Sequence, residues 1–493
     1  MNLANVECNK KGKYYGVKKT SCKAKNEVLR RRGEGESLLN GVLFLFLISN
    51  TLYFFQKKWP HSFVLLCVIF AVQFALYGFL AWGLYKKKTI RFSLILVVAI
   101  FSRLTLSFSE PILENDYIRY LWDGRVVAHG FNPYKYKPMD KALDHLKTDY
   151  REKIGWKQYK TIYPPLAQMA FGVSHLIGGD SLLSLKWVFI LFDLGTGILL
   201  CLWLSRLKKP KELSLLYFLN PLVLKEISNS AHLDSMVVFF SVFALYLFSF
   251  VDCGVRQSFR QWLGTYGKAW AVLALAIASK FYPLVFVPLV MRLDKKWTYG
   301  VSLIAVIMAV LYLPFLSAGE NLFSGLGAYS KYWIWNASIF QLTTKSLNWT
   351  LSQVPIIQYS AWLDNLMFKD IPAKVVVGVI YTFIIWSLSQ NLKKKEDLGK
   401  YAMWAIGALL VLSPVVDGWY VLWILPLACL YGNLPWLSFS FLVVGSYAWF
   451  YSKDFSPWIK LVEYLLFYLI LMWTYRNFIL TKWSNAIKVK STS

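Results

Sequence analysis

Three charged side chains, Asp116, Arg119 and Asp123, follow one another at positions i, i+3 and i+7 inside the polar stretch Glu110–Pro138. In a helix this spacing places all three on one face. A carboxylate on such a face, if partly removed from water, can take the proton of a hydroxyl group as a general base. The same pattern also fits a helix cap at Asp116 and a simple ion pair between the other two residues.

The polar stretch has the boundary signals of a helix. Asn115 and Asp116 are typical of a helix start, and Gly130, followed by Asn132-Pro133, is typical of its end. The sequence therefore predicts a helix that begins at Asp116, with Asp116 as the candidate catalytic carboxylate.

The chain around this stretch is far too apolar for a soluble domain. Of its 493 residues 57% are hydrophobic and 16% are charged, and runs of about 20 apolar residues recur along its length. The net charge of +27 does not indicate nucleic-acid binding, because the basic residues sit in short loops beside apolar runs, where they set topology and meet lipid headgroups. The fold class predicted is an all-α polytopic membrane protein with about 12–14 transmembrane helices.

The basic loops fix the predicted orientation, with both termini cytoplasmic and the loop 108–164 extracytoplasmic. The apolar run 165–177 is short for a span, and an interfacial position keeps every later basic loop inside; whether 165–178 crosses the membrane stays open at this point. The predicted organisation is a disordered basic cytoplasmic tail (1–37), N-terminal membrane helices (38–107), a catalytic first outer loop with juxtamembrane helices (108–180), a central membrane module (181–315), a second outer loop forming part of a substrate lid (316–370), and C-terminal membrane helices with a cytoplasmic tail (371–493).

Lys280 lies between two apolar runs, 269–279 and 281–292, which are each too short for a full span. Broken helices at membrane depth usually line a cavity. A lysine there is costly unless it meets an anion, so Lys280 is a candidate for a phosphate, although it is also long enough to reach the headgroups. Two separate arginines, Arg119 and Arg125, are further phosphate candidates.

Two of the later spans are predicted over 212–229 and 418–432. His232 and Asp234 are predicted at the outer end of the first, on the same side as Asp116. Glu226 precedes them by one or two helical turns. All three are candidates for contacts to a donor phosphate or to sugar hydroxyls. The alternative is helix capping or packing for His232, and snorkelling toward the membrane surface for Glu226. The histidines show no metal-ligand spacing and the cysteines no disulfide pattern, so neither a metal nor a cofactor is expected.

Several ordered motifs carry a family resemblance: ENDYIRYLWDGRVVAHGFNPYKYKP, TIYPPLAQ (161–168), LFDLG (191–195), LNPLVLKEISNSAHLD (219–234), SKFYPLVFVP (279–288) and SPVVDGWY (413–420). Together they resemble bacterial membrane mannosyltransferases of the GT-C fold, and also the catalytic subunit of the first glycosylphosphatidylinositol mannosyltransferase.

The resemblance implies a polyprenyl-phosphate sugar, usually mannose, as donor and an acidic residue of the first outer loop as base in an inverting, metal-independent transfer. Asp116 matches that residue. Related sequences often have Ser-Asp-Asp where this chain has Glu114-Asn115-Asp116, so a second carboxylate would have to come from Glu114.

The resemblance implies a hexosyltransferase of the plasma (inner) membrane, with an extracytoplasmic active site and a glycolipid or glycan as acceptor. A lipid-linked oligosaccharide ligase shares the same groups, and a transporter or flippase has the same composition. The sequence leaves the sugar and the acceptor open.

Overall fold

The computed structural model describes residues 35–58, 62–88, 90–113, 115–251, 258–353 and 370–491. Glu114 lies outside these residues, and so does the predicted tail (1–37) apart from its last three residues. The described residues contain no strand, only an isolated parallel bridge between Trp335 and Val415. The main helices are α1 (Gly35–Phe55), α2 (Ser62–Tyr85), α3 (Phe92–Ser107), α4 (Asp116–Ala128), α5 (Pro165–Gly178), α6 (Leu182–Arg206), α7 (Asp234–Phe250), α8 (Lys268–Ser279), α9 (Val287–Leu293), α10 (Trp297–Tyr312), α11 (Ser324–Tyr332), α12 (Ile339–Ser352), α13 (Ile371–Asn391), α14 (Leu398–Leu412), α15 (Leu425–Tyr431), α16 (Leu434–Leu442) and α17 (Ser456–Ser491).

Shorter segments join these helices. They are the 3-10 helices Asn50–Lys58 (continuing α1), Lys141–Leu146, Arg151–Lys153, Lys211–Ser214, Tyr282–Phe286, Leu313–Phe323, Lys395–Asp397 and Val443–Phe450, the single helical turns Leu215–Phe218, Pro221–Val223, Phe259–Trp262 and Gly418–Val421, and the π-helices Leu224–Asn229 and Leu263–Gly267. The prediction of an all-α chain is confirmed.

Among the described residues, six helical stretches are long and apolar enough to cross a membrane: Gly35–Phe55, Ser62–Tyr85, Leu182–Arg206, Trp297–Tyr332 (α10, α11 and the 3-10 helix between them), Ile371–Asn391 and Ser456–Arg476. Four apolar helices are shorter, namely Phe92–Ser107, Asp234–Phe250, Tyr282–Leu293 and Leu434–Phe450. The outward faces of the long helices carry large exposed apolar side chains, such as Phe383 and Trp473, which is what a helix bundle presents to lipid. The chain is an integral membrane protein.

Two spans predicted from hydropathy alone are broken in the structure. Residues 212–229 form a 3-10 turn, two helical turns and a π-helix, and 418–432 form the separate segments Gly418–Val421 and α15. In the first, the chain turns at Asn220-Pro221, where the Asn220 side chain caps the next turn. These breaks are corrections to the prediction of continuous helices, and they expose backbone and polar groups inside the bundle.

The break predicted at Lys280 is confirmed. Helix α8 ends at Ser279, Lys280 is extended (φ −163°, ψ 149°), and a 3-10 turn with Pro283 begins at Tyr282. The missing N–H of Pro283 and the extended residue interrupt the helix at this point, so that the lysine side chain lies between two helix ends.

Helix α5 is the 14-residue segment that the sequence left open between spanning and interfacial positions. It starts at Pro165 after an extended Pro164 (φ −65°, ψ 169°), as the Pro-Pro pair predicts. It packs closely on α4, because Gly124 of α4 lies against the Phe171 backbone, where a Cβ would come within 2.4 Å of the carbonyl oxygen. Close helix packing thus holds α4 and α5 together as one unit.

The first outer loop has a core of its own, made by buried apolar side chains from α4 and the loop: Ile118, Trp122, Val126, Leu143, Leu146 and Ile154. The guanidinium of Arg151 lies 5.2 Å from the Trp122 ring and donates to the Pro138 carbonyl oxygen at 2.7 Å. Burial of these side chains makes the loop a small folded layer over the membrane helices.

Candidate active site

Asp116 is the first residue of α4 and is half-buried. Asn115 occupies the N-cap position (φ −134°, ψ 4°) and makes no side-chain cap hydrogen bond. A carboxylate at this end of a helix is stabilised by the exposed backbone N–H groups and the helix dipole. The predicted start of the helix is confirmed, and Asp116 remains partly exposed.

The chain leading to α4 is held by membrane helices. Asn229 accepts a hydrogen bond from the Ile112 N–H (3.0 Å) and donates to the Ser109 hydroxyl (2.7 Å), while the Lys186 ammonium donates to the Ser109 carbonyl oxygen (2.5 Å). Asn229 lies in the π-helix and Lys186 in α6, and both are fully buried. These bonds fix the approach to Asp116 relative to the bundle.

Arg119 pairs within its own helix. Its Nε lies 2.8 Å from Asp123 Oδ1, and Asp123 Oδ2 accepts from Gln168 Nε2 at 3.2 Å. Gln168 also donates to the Thr161 hydroxyl at 2.7 Å. The predicted Arg119–Asp123 ion pair is confirmed. It fastens α4 to α5, and a role of Arg119 in phosphate binding stays a prediction.

Arg125 lies near the opposite end of α4 from Asp116. Its Nη1 is 2.8 Å from Asp180 Oδ2, and its Nε donates to the Leu146 carbonyl oxygen at 3.1 Å. His175 Nδ1 contacts the other oxygen of Asp180 at 3.1 Å. This cluster joins α4 to the loop before α6, and the structure does not bring it to Lys280.

Glu226 sits in a buried polar cluster on the π-helix. Tyr447 donates to Glu226 Oε1 (2.7 Å), Lys225 Nζ lies 3.2 Å from Oε2, and His232 Nε2 lies 3.4 Å from the same oxygen. All these side chains are fully or almost fully buried, and the His232 ring stacks on Trp419 with centroids 4.2 Å apart. The cluster supports the adjacent site, and a direct sugar contact of Glu226 stays a prediction.

Lys280 and Asp234 form the central ion pair. Lys280 Nζ lies 2.8 Å from Asp234 Oδ1, which also accepts the Trp423 indole N–H at 2.6 Å. Asp234 is buried, whereas the Lys280 side chain is 19% exposed and lies 4.4 Å from the Tyr420 ring centroid. Trp423 stacks between Tyr420 and Tyr282, with centroids 4.2 Å apart on each side. The Lys280 ammonium is thus a partly exposed cation that lies against the Tyr420 ring.

The carboxylates of Asp116 and Asp234 act electrostatically on the same two side chains, Tyr120 and His232. Burial raises the pKa of Tyr120 well above its usual range, and the neighbouring Tyr163, Asp116 and Asp234 add to this. Burial lowers the pKa of His232, while Glu226, Asp116 and Asp234, in that order, oppose the shift. One electrostatic neighbourhood therefore contains Asp116, His232 and Asp234, and through Asp234 it includes Lys280.

Sequence reasoning missed several members of this neighbourhood. Lys225, Tyr447 and Trp423 looked like ordinary residues of apolar runs, because their partners lie about 200 positions away in the chain. A lysine in the apolar run around 212–229 was the one available signal, since buried ionisable groups in membrane segments usually mark a site.

Comparisons with known proteins identify the family of the chain. Residues 46–313 match the family described as alpha-(1->6)-mannopyranosyltransferase, N-terminal domain. The chain is 24% identical over 380 residues to alpha-(1->6)-mannopyranosyltransferase B of Corynebacterium glutamicum, covering 71% of this chain and 60% of that protein. The matched part is thus less than two thirds of that relative's length.

Among solved structures, the chain is similar to ArnT from Cupriavidus metallidurans bound to undecaprenyl phosphate, with a TM-score of 0.44, 13% identity and coverage of 77% of this chain and 71% of that one. The family match is independent of this likeness and includes α4, the π-helix, Asp234 and Lys280. Since it spans more than half of the 493 residues, the chain belongs to the alpha-(1->6)-mannopyranosyltransferase family.

Proposed function

We propose that this protein is a membrane mannosyltransferase of the GT-C type. It transfers mannose from a polyprenyl-phosphate donor to a hydroxyl of a glycolipid or glycan on the extracytoplasmic side. The observation that carries the proposal is the shared neighbourhood of Asp116 and the Lys280–Asp234 pair. A carboxylate base and a partly open cation are the two groups that this reaction needs.

In the proposed step, Asp116 accepts the proton of the acceptor hydroxyl as its oxygen attacks the anomeric carbon of the donor. The bond between the acceptor oxygen and that carbon forms, and the bond to the phosphate oxygen breaks. The electron pair leaves with the polyprenyl phosphate. Attack and departure take place on opposite faces of the sugar, which inverts the anomeric configuration, and the phosphate leaves as an anion without needing an acid.

Lys280 is the proposed phosphate contact. Its ammonium is partly exposed, and the buried Asp234 holds it in place from one side. Negative charge builds up on the departing phosphate in the transition state, so a positioned cation stabilises that state more than the bound donor. With Lys280 in this role the transfer needs no metal ion, which is part of the proposal.

His232 Nε2 lies 3.4 Å from the Glu226 carboxylate, its ring stacks on Trp419, and the charges of Asp116 and Asp234 act on it. Because burial lowers its pKa, the neutral imidazole is favoured, which can donate or accept one hydrogen bond. We assign it to a sugar hydroxyl or a phosphate oxygen of the donor. Lys225 Nζ, 3.2 Å from Glu226 Oε2, in turn holds the Glu226 carboxylate in place.

The proposed orientation puts both termini in the cytoplasm and the site on the outer face of the plasma membrane. The basic loops support this, because lysine and arginine concentrate on the cytoplasmic side of membrane helices.

The test is a transfer assay with purified protein in liposomes, using polyprenyl-phosphate [14C]mannose and a synthetic α-(1→6)-linked mannoside. We expect the wild type to release polyprenyl phosphate and label the mannoside. Asp116→Asn should lose about 10²- to 10⁴-fold in rate, the usual contribution of a general base, while unfolding at the same temperature as the wild type.

The matched control is Asp149→Asn, which changes an exposed carboxylate of the same loop and should leave the rate unchanged. Full activity of Asp116→Asn would remove the assigned base. A wild-type protein that moves the intact donor across the bilayer without releasing mannose would instead identify a flippase.

A further inference from the structure

Four aromatic side chains meet where the two outer loops touch. The rings of Trp156 and Trp333 have centroids 4.4 Å apart, Tyr159 lies 5.5 Å from Trp333, and Tyr332 lies 6.2 Å from Tyr159. Two of them come from the first outer loop and two from the end of the second loop's helix α11. They form one surface, which we call the aromatic platform.

The platform is open to the outside rather than buried in a core. Trp156 and Tyr332 are each 58% exposed, although the surrounding loop has a separate core in which Trp122 is buried. Trp156 also holds a left-handed backbone conformation (φ 55°), which is uncommon for a large residue. Exposed aromatic clusters of this kind usually mark a binding surface.

The two outer loops also meet at a close backbone contact. Gly325 of α11 lies on the first outer loop so tightly that a Cβ would come within 2.3 Å of the Thr161 carbonyl oxygen. This contact fixes the second loop against the first and sets the spacing of the four rings. The platform is therefore a built feature of the loop junction.

One edge of the platform borders the proposed base. A Cβ on Gly155, the residue before Trp156, would lie 3.9 Å from the side chain of Asn115, and Asn115 directly precedes Asp116. The platform thus begins about one side chain away from the N-terminus of α4.

The opposite edge leads to the proposed phosphate contact. Trp333 packs on Tyr329 with centroids 5.5 Å apart, the Tyr329 and Tyr420 hydroxyls are 2.6 Å apart, and Lys280 lies over the Tyr420 ring. A continuous line of aromatic contacts therefore runs from the exposed platform to the cation.

We propose that the aromatic platform binds the acceptor as a carbohydrate, with pyranose rings stacked on Trp156 and Tyr332. The C–H face of a sugar ring is apolar and weakly positive, and it packs on the negative face of an aromatic ring. A sugar held there presents its hydroxyl toward Asp116. This inference rests on the proposed function and adds to it where the acceptor lies and what chemistry recognises it.

The charges beside the platform favour a sugar over a lipid tail as the occupant. Lys157, next to Trp156, pairs with Glu152 at 2.7 Å, and both are exposed. Hydroxyl groups at the rim of a stacked sugar can hydrogen-bond to these charges, whereas a hydrocarbon chain cannot.

The experiment measures acceptor binding and transfer separately. The probe is octyl α-D-mannopyranosyl-(1→6)-α-D-mannopyranoside, with binding followed by saturation-transfer NMR on the protein in nanodiscs. We expect Trp156→Ala to raise the dissociation constant and the acceptor KM about tenfold, while kcat and the donor KM stay within about twofold. Trp156→Phe, which keeps a ring face, should recover most of the loss.

Trp458→Ala is the matched control, because Trp458 is 67% exposed, is predicted on the same side of the membrane, and lies outside the platform. It should leave both constants unchanged. Equal acceptor affinity in the wild type and Trp156→Ala overturns the inference, whether or not transfer occurs. Binding that is lost in Trp156→Ala supports the platform, even if a wild type without transfer activity refutes the proposed function.

Discussion

The charge of Glu226 gives the sharpest quantitative prediction, because the sequence and the structure suggest different roles for it. The sequence offers it as a sugar ligand. In the structure its carboxylate is fully buried, accepts from Tyr447 at 2.7 Å and lies 3.2 Å from the ammonium of Lys225. We therefore expect replacement of Glu226 to lower mainly the free energy of unfolding.

Replacing Glu226 by Gln keeps the shape and one acceptor oxygen but leaves the buried Lys225 without its counter-charge. Breaking a buried ion pair typically costs ~3–5 kcal/mol. Lys225 retains the Tyr447 hydroxyl at 2.8 Å, so the lower end, about 3 kcal/mol, is expected for Glu226→Gln. Lys225→Met should cost a similar amount.

The double variant Lys225→Met/Glu226→Gln removes both charges and should recover part of the loss, with an interaction energy of about 1–3 kcal/mol. The assay is reversible unfolding in mixed detergent micelles, followed by tryptophan fluorescence. The control is Glu36→Gln, which breaks a largely exposed pair with Arg91 (27% and 75% exposed) and should cost less than about 1 kcal/mol.

The reasoning fails if Glu226→Gln is as stable as the wild type yet inactive in transfer. That result would make Glu226 a substrate ligand, as the sequence suggests. The structural role that we assign to Glu226 from its burial and hydrogen bonds would then be wrong.

Two further predictions concern the loop junction and acid stability. Gly325→Ala places a Cβ within 2.3 Å of a backbone oxygen, so we expect transfer to fall at least tenfold, whereas Gly327→Ala, which meets no atom within 4 Å, should transfer normally; equal rates would refute the close fit of the loops. For His232, burial lowers the pKa in the folded state below its ordinary value near 6.5, so the unfolded chain binds a proton first and stability should fall as the pH drops below about 6.5. The extra acid sensitivity, measured by chemical unfolding at pH 7 and 5, should disappear in His232→Gln, and identical pH profiles for the two proteins would contradict it.

The sequence by itself determined the class of protein and the position of the helix start at Asp116. Apolar runs of spanning length and the Asn115-Asp116 start are local signals, since helix formation and capping depend on near neighbours. The break at Lys280 was equally visible, because Pro283 and a lysine in an apolar run interrupt a helix without any tertiary contact.

Only the tertiary structure decided which charged residues share a site. Lys280 was the first phosphate candidate, with Arg119 and Arg125 as further ones; in the structure the two arginines pair with Asp123 and Asp180, whereas Lys280 pairs with Asp234. These partners are set by helix packing over long sequence separations, and no local pattern records them. For the same reason the breaks in 212–229 and 418–432 were missed. Average hydropathy detects apolar runs, but it does not detect the buried polar contacts of Lys225 and Trp423, which depend on residues far away in the chain.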